Sequence, residues 1–278
     1  MKLTVLVDNN TLIDRYLLGE PAVSFLIEDE GKKILFDVGY SDAFIKNATK
    51  LSVGLRDLDY LVLSHCHLDH TWGLVPLVRM YTESMIEGIS VNRSKLITHP
   101  STFIPRQGPG MPEIGSLLTQ EKLSKFFDVC LSSGPMWLTK RLVFLGQIER
   151  TNDFEAKDPI GTVVENGKTK PDFIPEDSAL AYKSEQGLVI ITGCSHSGIC
   201  NIVEYARKVC KTDEVLDIIG GFHLLNPRQE QLEETVNYMR QLRPKAVHAC
   251  HCTDLSSKIA LSRAVDVQEV GSGLVLNY

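Results

Sequence analysis

The chain has 278 residues, with 29 Lys and Arg against 35 Asp and Glu and a net charge of −6. This acidic balance argues against a general affinity for nucleic acid or for an anionic membrane surface. No apolar run approaches the roughly 20 residues that a membrane span needs.

A hydrophobic share of 43 % with 23 % charged residues is ordinary for a soluble globular protein, and this length buries a substantial core. One domain covering 1–278 is expected. The opening Met1-Lys2-Leu3-Thr4-Val5-Leu6-Val7-Asp8 lacks the long apolar core of a signal peptide and reads as a first strand. Seven cysteines, an odd number without a disulfide-scaffold spacing, point to reduced thiols and a cytoplasmic protein. Cys130, Cys200 and Cys210 read as small buried apolar residues.

In chain order, Leu3–Val7, Ala22–Ile27 and Lys33–Val38 read as strands, with Glu28-Asp29-Glu30-Gly31 as the turn between the last two. Asp37, at the end of the third, reads by itself as a turn residue. Ser41–Lys50 is expected to be helical, and Leu58–Leu63 is a strand. Thr71–Tyr81 carries Leu74, Val75, Leu77 and Val78 at helical spacing and is expected to pack on a sheet. The stretch 82–128 is mixed: Leu96-Ile97-Thr98 is strand-like and 100–115 is rich in Pro and Gly, so an insertion or lid beside a site is expected. It carries His99 and Arg106, each expected at the surface, with Arg106 also a candidate to meet an anionic substrate. Trp137–Leu145 resumes a strand pattern, and 153–177 reads as hairpins and loop.

Between the strand before residue 64 and the helix after 71 lies Ser64-His65-Cys66-His67-Leu68-Asp69-His70. In extended backbone the side-chain period is two, so His65 and His67 point the same way and can hold one metal ion. Past Leu68 the chain turns and re-aims Asp69 and His70 beside them, where they can hold a second. Three runs in the C-terminal half repeat one pattern. Leu188–Thr192 leads to Gly193-Cys194-Ser195-His196, Val215–Ile219 leads to Gly220-Gly221-Phe222-His223, and Lys245–Cys250 leads to His251-Cys252. Each is followed by a helical segment. Strands alternating with helices set their carboxyl ends along one sheet edge, where ligand sites gather. His196 and His251 are therefore the expected remote ligands. His223 is a candidate acid, substrate clamp or ligand, and His248, inside its strand, is expected to be buried and hydrogen-bonded.

The H-x-H-x-D-H motif resembles the metal-binding signature of the metallo-β-lactamase superfamily. Gly193-Cys194-Ser195-His196-Ser197-Gly198-Ile199, Gly220-Gly221-Phe222-His223-Leu224 and His251-Cys252-Thr253 are similar to one branch of it, which holds archaeal dihydropterin ribofuranosylaminobenzene phosphate synthases and bacterial metal-dependent hydrolases. The resemblance implies an α+β fold, a metallo-β-lactamase-like four-layer αβ/βα sandwich with two mixed β-sheets. It implies one or two divalent metal ions, zinc first, with manganese, iron or magnesium as alternatives. It also implies that Asp37 orients a ligating imidazole, that His251 is the last metal ligand, and that Cys194 stands beside the ligands, near where the wider superfamily carries a bridging Asp. Asp254 departs from the Gly usual in the branch.

The expected function is that of a metal-dependent enzyme, a hydrolase or a synthase, acting on a small phosphorylated, pterin-like or otherwise anionic substrate. Asp69 would bind metal and pass a proton, His223 would act as acid or clamp, and Arg150 and Arg106 would anchor the anion. The alternatives are a catalytically silent metal- or ligand-binding module and a di-iron redox protein, the latter disfavoured because such relatives carry Glu where this chain has His67. A small-molecule anionic substrate is the expected partner, with a homo-oligomer compatible and no nucleic acid or membrane.

Overall fold

The computed structural model describes residues 1–165 and 167–278, with the side chain of Glu165 excepted. The chain forms two compact units, one of residues 1–132, 161–170 and 271–278, the other of 133–160 and 171–270.

The first unit is built on a seven-stranded mixed sheet in the order Val275–Asn277, Lys2–Val7, Ser24–Asp29, Lys32–Phe36, Tyr60–Val62, Lys95–Thr98, Asp128–Leu131. The last four of these run parallel to one another, so Asp37, the Ser64–His70 turn and His99 all follow carboxyl ends on one edge. Helix Ala43–Lys50 buries Phe44, Asn47 and Ala48, one stripe of a 3.6-residue period. Asn47 is tolerated in that core because its amide donates to the Leu6 and Leu18 carbonyls and its oxygen accepts from the Leu18 amide. The helix expected over 71–81 is observed as a single turn, Leu68–Thr71, followed by Leu74–Ile86. Within 82–128, Lys95–Thr98 threads the sheet between two parallel neighbours, and the Pro- and Gly-rich stretch leaves from its carboxyl end. Arg106–Gln107, Thr162–Glu165 and Lys168–Pro171 form a small third sheet.

The second unit holds a six-stranded mixed sheet ordered Ala246–Cys250, Val215–Gly221, Gly187–Thr192, Ala179–Ser184, Leu142–Phe144, Met136–Trp137. The first three strands are parallel. They are followed by helices Leu255–Leu261, Gln229–Leu242 and Ile199–Cys210 respectively. Ile199, Ile202, Val203, Ala206 and Cys210 face a core that includes Ile190, Ile218 and Val247. The single strand expected over Trp137–Leu145 is instead a hairpin. The Thr139 hydroxyl accepts from the Arg141 and Leu142 amides, a local turn that strand-like composition around it does not reveal.

Candidate metal centre

In the first unit the ligand-bearing turn is extended at His67 (φ −61°, ψ 154°) and then helical, which is the change of direction the spacing requires. His65, His67 and His70 are all buried. His65 Nε2 stands 3.2 Å from His67 Nδ1. Two ligands held at about 2.0–2.1 Å in a tetrahedral set lie about 3.3 Å apart, so this pair is already at the spacing a zinc-sized ion demands. His70 Nε2 lies 3.5 Å from Asp69 Oδ2.

The outer nitrogens of two of these rings are tied off. His70 Nδ1 is 2.7 Å from Asp37 Oδ2, and His65 Nδ1 is 2.8 Å from Ser64 Oγ, which itself donates to Asp37 Oδ2 at 2.7 Å. Asp37 Oδ1 accepts from the Ser64 amide at 2.7 Å. One buried carboxylate therefore sets both tautomers with the protons on Nδ1, so that Nε2 of His65 and of His70 is the atom a cation would take. Burial works against a charged His70, yet Asp69 and Asp37 more than offset it and raise its pKa to about 10. A cation and a proton compete for that nitrogen. Gly73 follows because nothing larger fits: a Cβ there would meet the Val38 carbonyl oxygen at 1.9 Å.

In the second unit the three parallel strands set Cys194, Ser195 and His196, then His223, then His251 and Cys252, along one edge. Ser195, His223 and His251 adopt positive φ (63°, 51° and 51°), as does Asp37 in the first unit (56°). Left-handed backbone at non-glycine residues is uncommon and recurs where function fixes a side chain's aim. Cys194 Sγ is 3.1 Å from His251 Nε2, and the His196 and His223 rings are 4.3 Å apart. The ligand atom of Cys194 also lies within 4.8 Å of that of His196. Cys252 accepts from the His223 amide and donates to the Cys194 carbonyl, both at 3.3 Å. Burial pushes its thiol up, but Cys194, His223 and the charge of His251 outweigh this and hold it well below its ordinary range.

Asp177, fully buried, accepts from the Ser197 amide at 2.8 Å and so braces the turn that carries His196; burial raises its pKa to about 6. Arg150 Nη2 donates to the Phe173 and Ile174 carbonyls at 2.6 and 2.9 Å. Both of those residues wall a pocket of about 170 Å³ that also reaches His196 and His223. Arg106, expected at the surface or against an anion, is among the largest fully buried side chains, its Nη1 donating to the Ser101 and Ile104 carbonyls of its own loop. His99 is likewise buried and accepts from the Ser101 amide. His248 pairs with Asp217 at 2.9 Å, inside the sheet as expected. Asp254 caps helix Leu255–Leu261 through Ser257 N and also accepts from Asn226 N, a structural use for the residue that departs from the branch. Ser64 carries no signal in sequence, since a serine before a histidine is common; Glu176-Asp177, just before a strand, reads as a candidate carboxylate for the site, and Asp177 is used to hold the Ser197 amide.

The two mixed sheets and the imidazole-rich strand ends define an α+β metal-binding protein of the metallo-β-lactamase type. A model of the metallo-β-lactamase superfamily matches residues 17–81. The chain is 31 % identical over 249 residues to the 7,8-dihydropterin-6-methyl-4-(β-D-ribofuranosyl)-aminobenzene-5'-phosphate synthase of Methanocaldococcus jannaschii, covering 85 % of this chain and 82 % of that one. It is 30 % identical over 260 residues to the uncharacterised protein MJ0448 of the same organism, covering 93 % of each. Among solved structures, Tm1679, described as a metal-dependent hydrolase of the β-lactamase superfamily, superposes with a TM-score of 0.83 at 25 % identity, covering 100 % and 99 % of the two chains. The chain belongs to the metallo-β-lactamase superfamily. Among the described residues, no helix is long and apolar enough to cross a membrane.

Proposed function

We propose that this chain is a metal-dependent hydrolase of small phosphorylated substrates, with His65, His67, Asp69, His70, His196 and His251 as metal ligands. The observation that carries the reading is the His65–His67 pair, 3.2 Å apart. It is joined by Asp37 and Ser64, which tie off the outer nitrogens of His65 and His70. The donor set of imidazole and carboxylate suits zinc first, then manganese or iron. A divalent ion held by these residues would supply Lewis acidity and would acidify a water near neutral pH.

The chain's own residues do the rest. Asp69, partly exposed, is placed to hold a proton beside the ligands. His223, half-buried in the wall of the 170 Å³ pocket, is the acid or clamp for a leaving group. Arg150 serves substrate binding by holding the Phe173–Ile174 wall in place. A second reading, a synthase that displaces a phosphorylated leaving group by an aryl nucleophile, is supported by the identity to the archaeal synthase along most of the chain. The same Lewis-acid assistance to an anionic leaving group serves both.

The test is metal analysis of untagged protein, coupled to a turnover screen of phosphodiesters, phosphomonoesters, lactones and pterin diphosphates. Bound transition metal that falls in both His67→Ala and His196→Ala, together with loss of turnover, supports the reading. Unchanged metal content in His67→Ala overturns the ligand assignment. A protein with no metal and no affinity for added zinc or manganese is instead a silent module.

A further inference from the structure

The 170 Å³ pocket of the second unit offers more than a route to His196 and His223. At about 30 Å³ per water it holds roughly six waters, the scale of a phosphate with the first atoms of its ester. Its rim carries two cations, Lys157 and Arg228, and one carboxylate, Asp158. Lys157 is exposed and has no ion pair among the described residues. Arg228 is anchored by Nη2 to the Phe154 carbonyl at 3.2 Å. Its acidic neighbours, Asp158 at 3.5 Å and Glu230 at 3.6 Å, are too long for good hydrogen bonds and sit on side chains 77 % and 64 % exposed. Such pairs are screened by water and leave the guanidinium free to take a better partner.

The same rim is the start of the 14-residue helix Gln229–Leu242, and Arg228, the residue just before it, makes no side-chain cap. The first helical hydrogen bond is Leu232 N to Arg228 O. The preceding amides therefore add donors and a partial positive charge to the side the two cations already occupy. The loop bearing Lys157 is held by Glu155, which accepts from the Cys200 and Asn201 amides at 3.0 and 3.1 Å. The cation is thus presented on a fixed arm.

From this we infer that the pocket is the seat of the substrate's phosphomonoester group, with Lys157 and Arg228 as its clamp and the bond to be broken directed to His196 and His223. The inference rests on the hydrolase or synthase reading only for what happens to the substrate; the anion subsite stands on the pocket itself. It also assigns specificity. A tetrahedral dianion engages two cations and helix amides together, whereas a carboxylate satisfies fewer of them.

Inorganic phosphate is the probe, titrated into the metal-loaded protein and into chelator-treated protein and followed by 31P NMR line broadening, with acetate as the control anion. Lys157→Ala is expected to weaken phosphate binding about fivefold and Lys157→Glu by more than about tenfold, while Lys157→Arg stays within about twofold of the parent, the scale of a partly exposed charge-assisted contact. Lys157 is exposed, so these variants fold; Arg228→Gln, which also loses the Phe154 anchor, is read only beside an unchanged melting curve. Phosphate binding insensitive to Lys157→Glu, or abolished by chelation alone, overturns the subsite. A protein that holds no metal and turns nothing over, yet loses phosphate on Lys157→Glu, sinks the enzymatic reading and leaves the subsite standing.

Discussion

Asp37→Asn isolates the chemistry of the first unit. Asp37 is fully buried and makes three contacts of 2.7 Å, to Ser64 N, Ser64 Oγ and His70 Nδ1. Asn keeps the shape and tolerates the positive φ of 56°. Its oxygen retains the Ser64 amide, but its NH₂ now stands where Oδ2 accepted. His70 must then accept at Nδ1, which moves its proton to Nε2, the nitrogen a metal needs. Loss of such an orienting carboxylate costs about 10–100-fold in metal affinity, or about 1.4–2.8 kcal/mol. Competition against a chromogenic chelator measures this, with a thermal melt beside it to verify the fold. Wild-type affinity in a well-folded Asp37→Asn protein would refute tautomer control by Asp37.

Three further outcomes follow from the geometry. Gly73→Ala drives a Cβ to 1.9 Å from the Val38 carbonyl oxygen, a backbone atom that cannot step aside. It should cost more than about 3 kcal/mol, and a wild-type urea midpoint would contradict the close approach. Glu155→Ala removes the acceptor for two amides at the start of helix Ile199–Cys210; a loss of about 1–2 kcal/mol is expected in chemical denaturation, with Glu155→Gln nearer the parent. Asp177, with its folded pKa raised to about 6 from 3.8, binds its proton more tightly folded than unfolded. Its contribution to stability is therefore present below about pH 4 and lost as pH rises through 6, a cost on the order of 3 kcal/mol by pH 7. Asp177→Asn should remove that slope, so a difference in melting temperature between the two proteins that fails to grow from pH 4 to pH 7 would contradict a buried, raised carboxyl.

Local chemistry was legible in the chain itself. His65 and His67 were expected to share a direction as neighbours two apart in a strand; the strand ends at Val62 and the chain bends at Ser64 and Cys66, yet the two rings still approach to 3.2 Å. The Val- and Ile-rich runs before Cys194 and His223 read as buried strands because a parallel sheet is covered on both faces and shows no alternation. His248 was expected to be buried because it sits inside its strand, and it pairs there with Asp217.

What sequence could not supply was any contact, near or far along the chain, that no local period encodes. Arg106 lies in a stretch rich in Pro and Gly that reads as surface, yet it is buried, because carbonyls of its own loop fold back to accept from it. The strand Trp137–Leu145 breaks into a hairpin on one threonine hydroxyl. Asp37 and His70 stand 33 residues apart, and only the pairing of Lys32–Phe36 with Tyr60–Val62 brings them to 2.7 Å. The sequence by itself determined which side chains are candidates for the chemistry, since ligand type and spacing are properties of a few neighbouring residues. Tertiary structure alone decided which nitrogen of His65 and of His70 is tied off and which cations line the second unit's pocket, because both depend on packing that joins separate strands and helices.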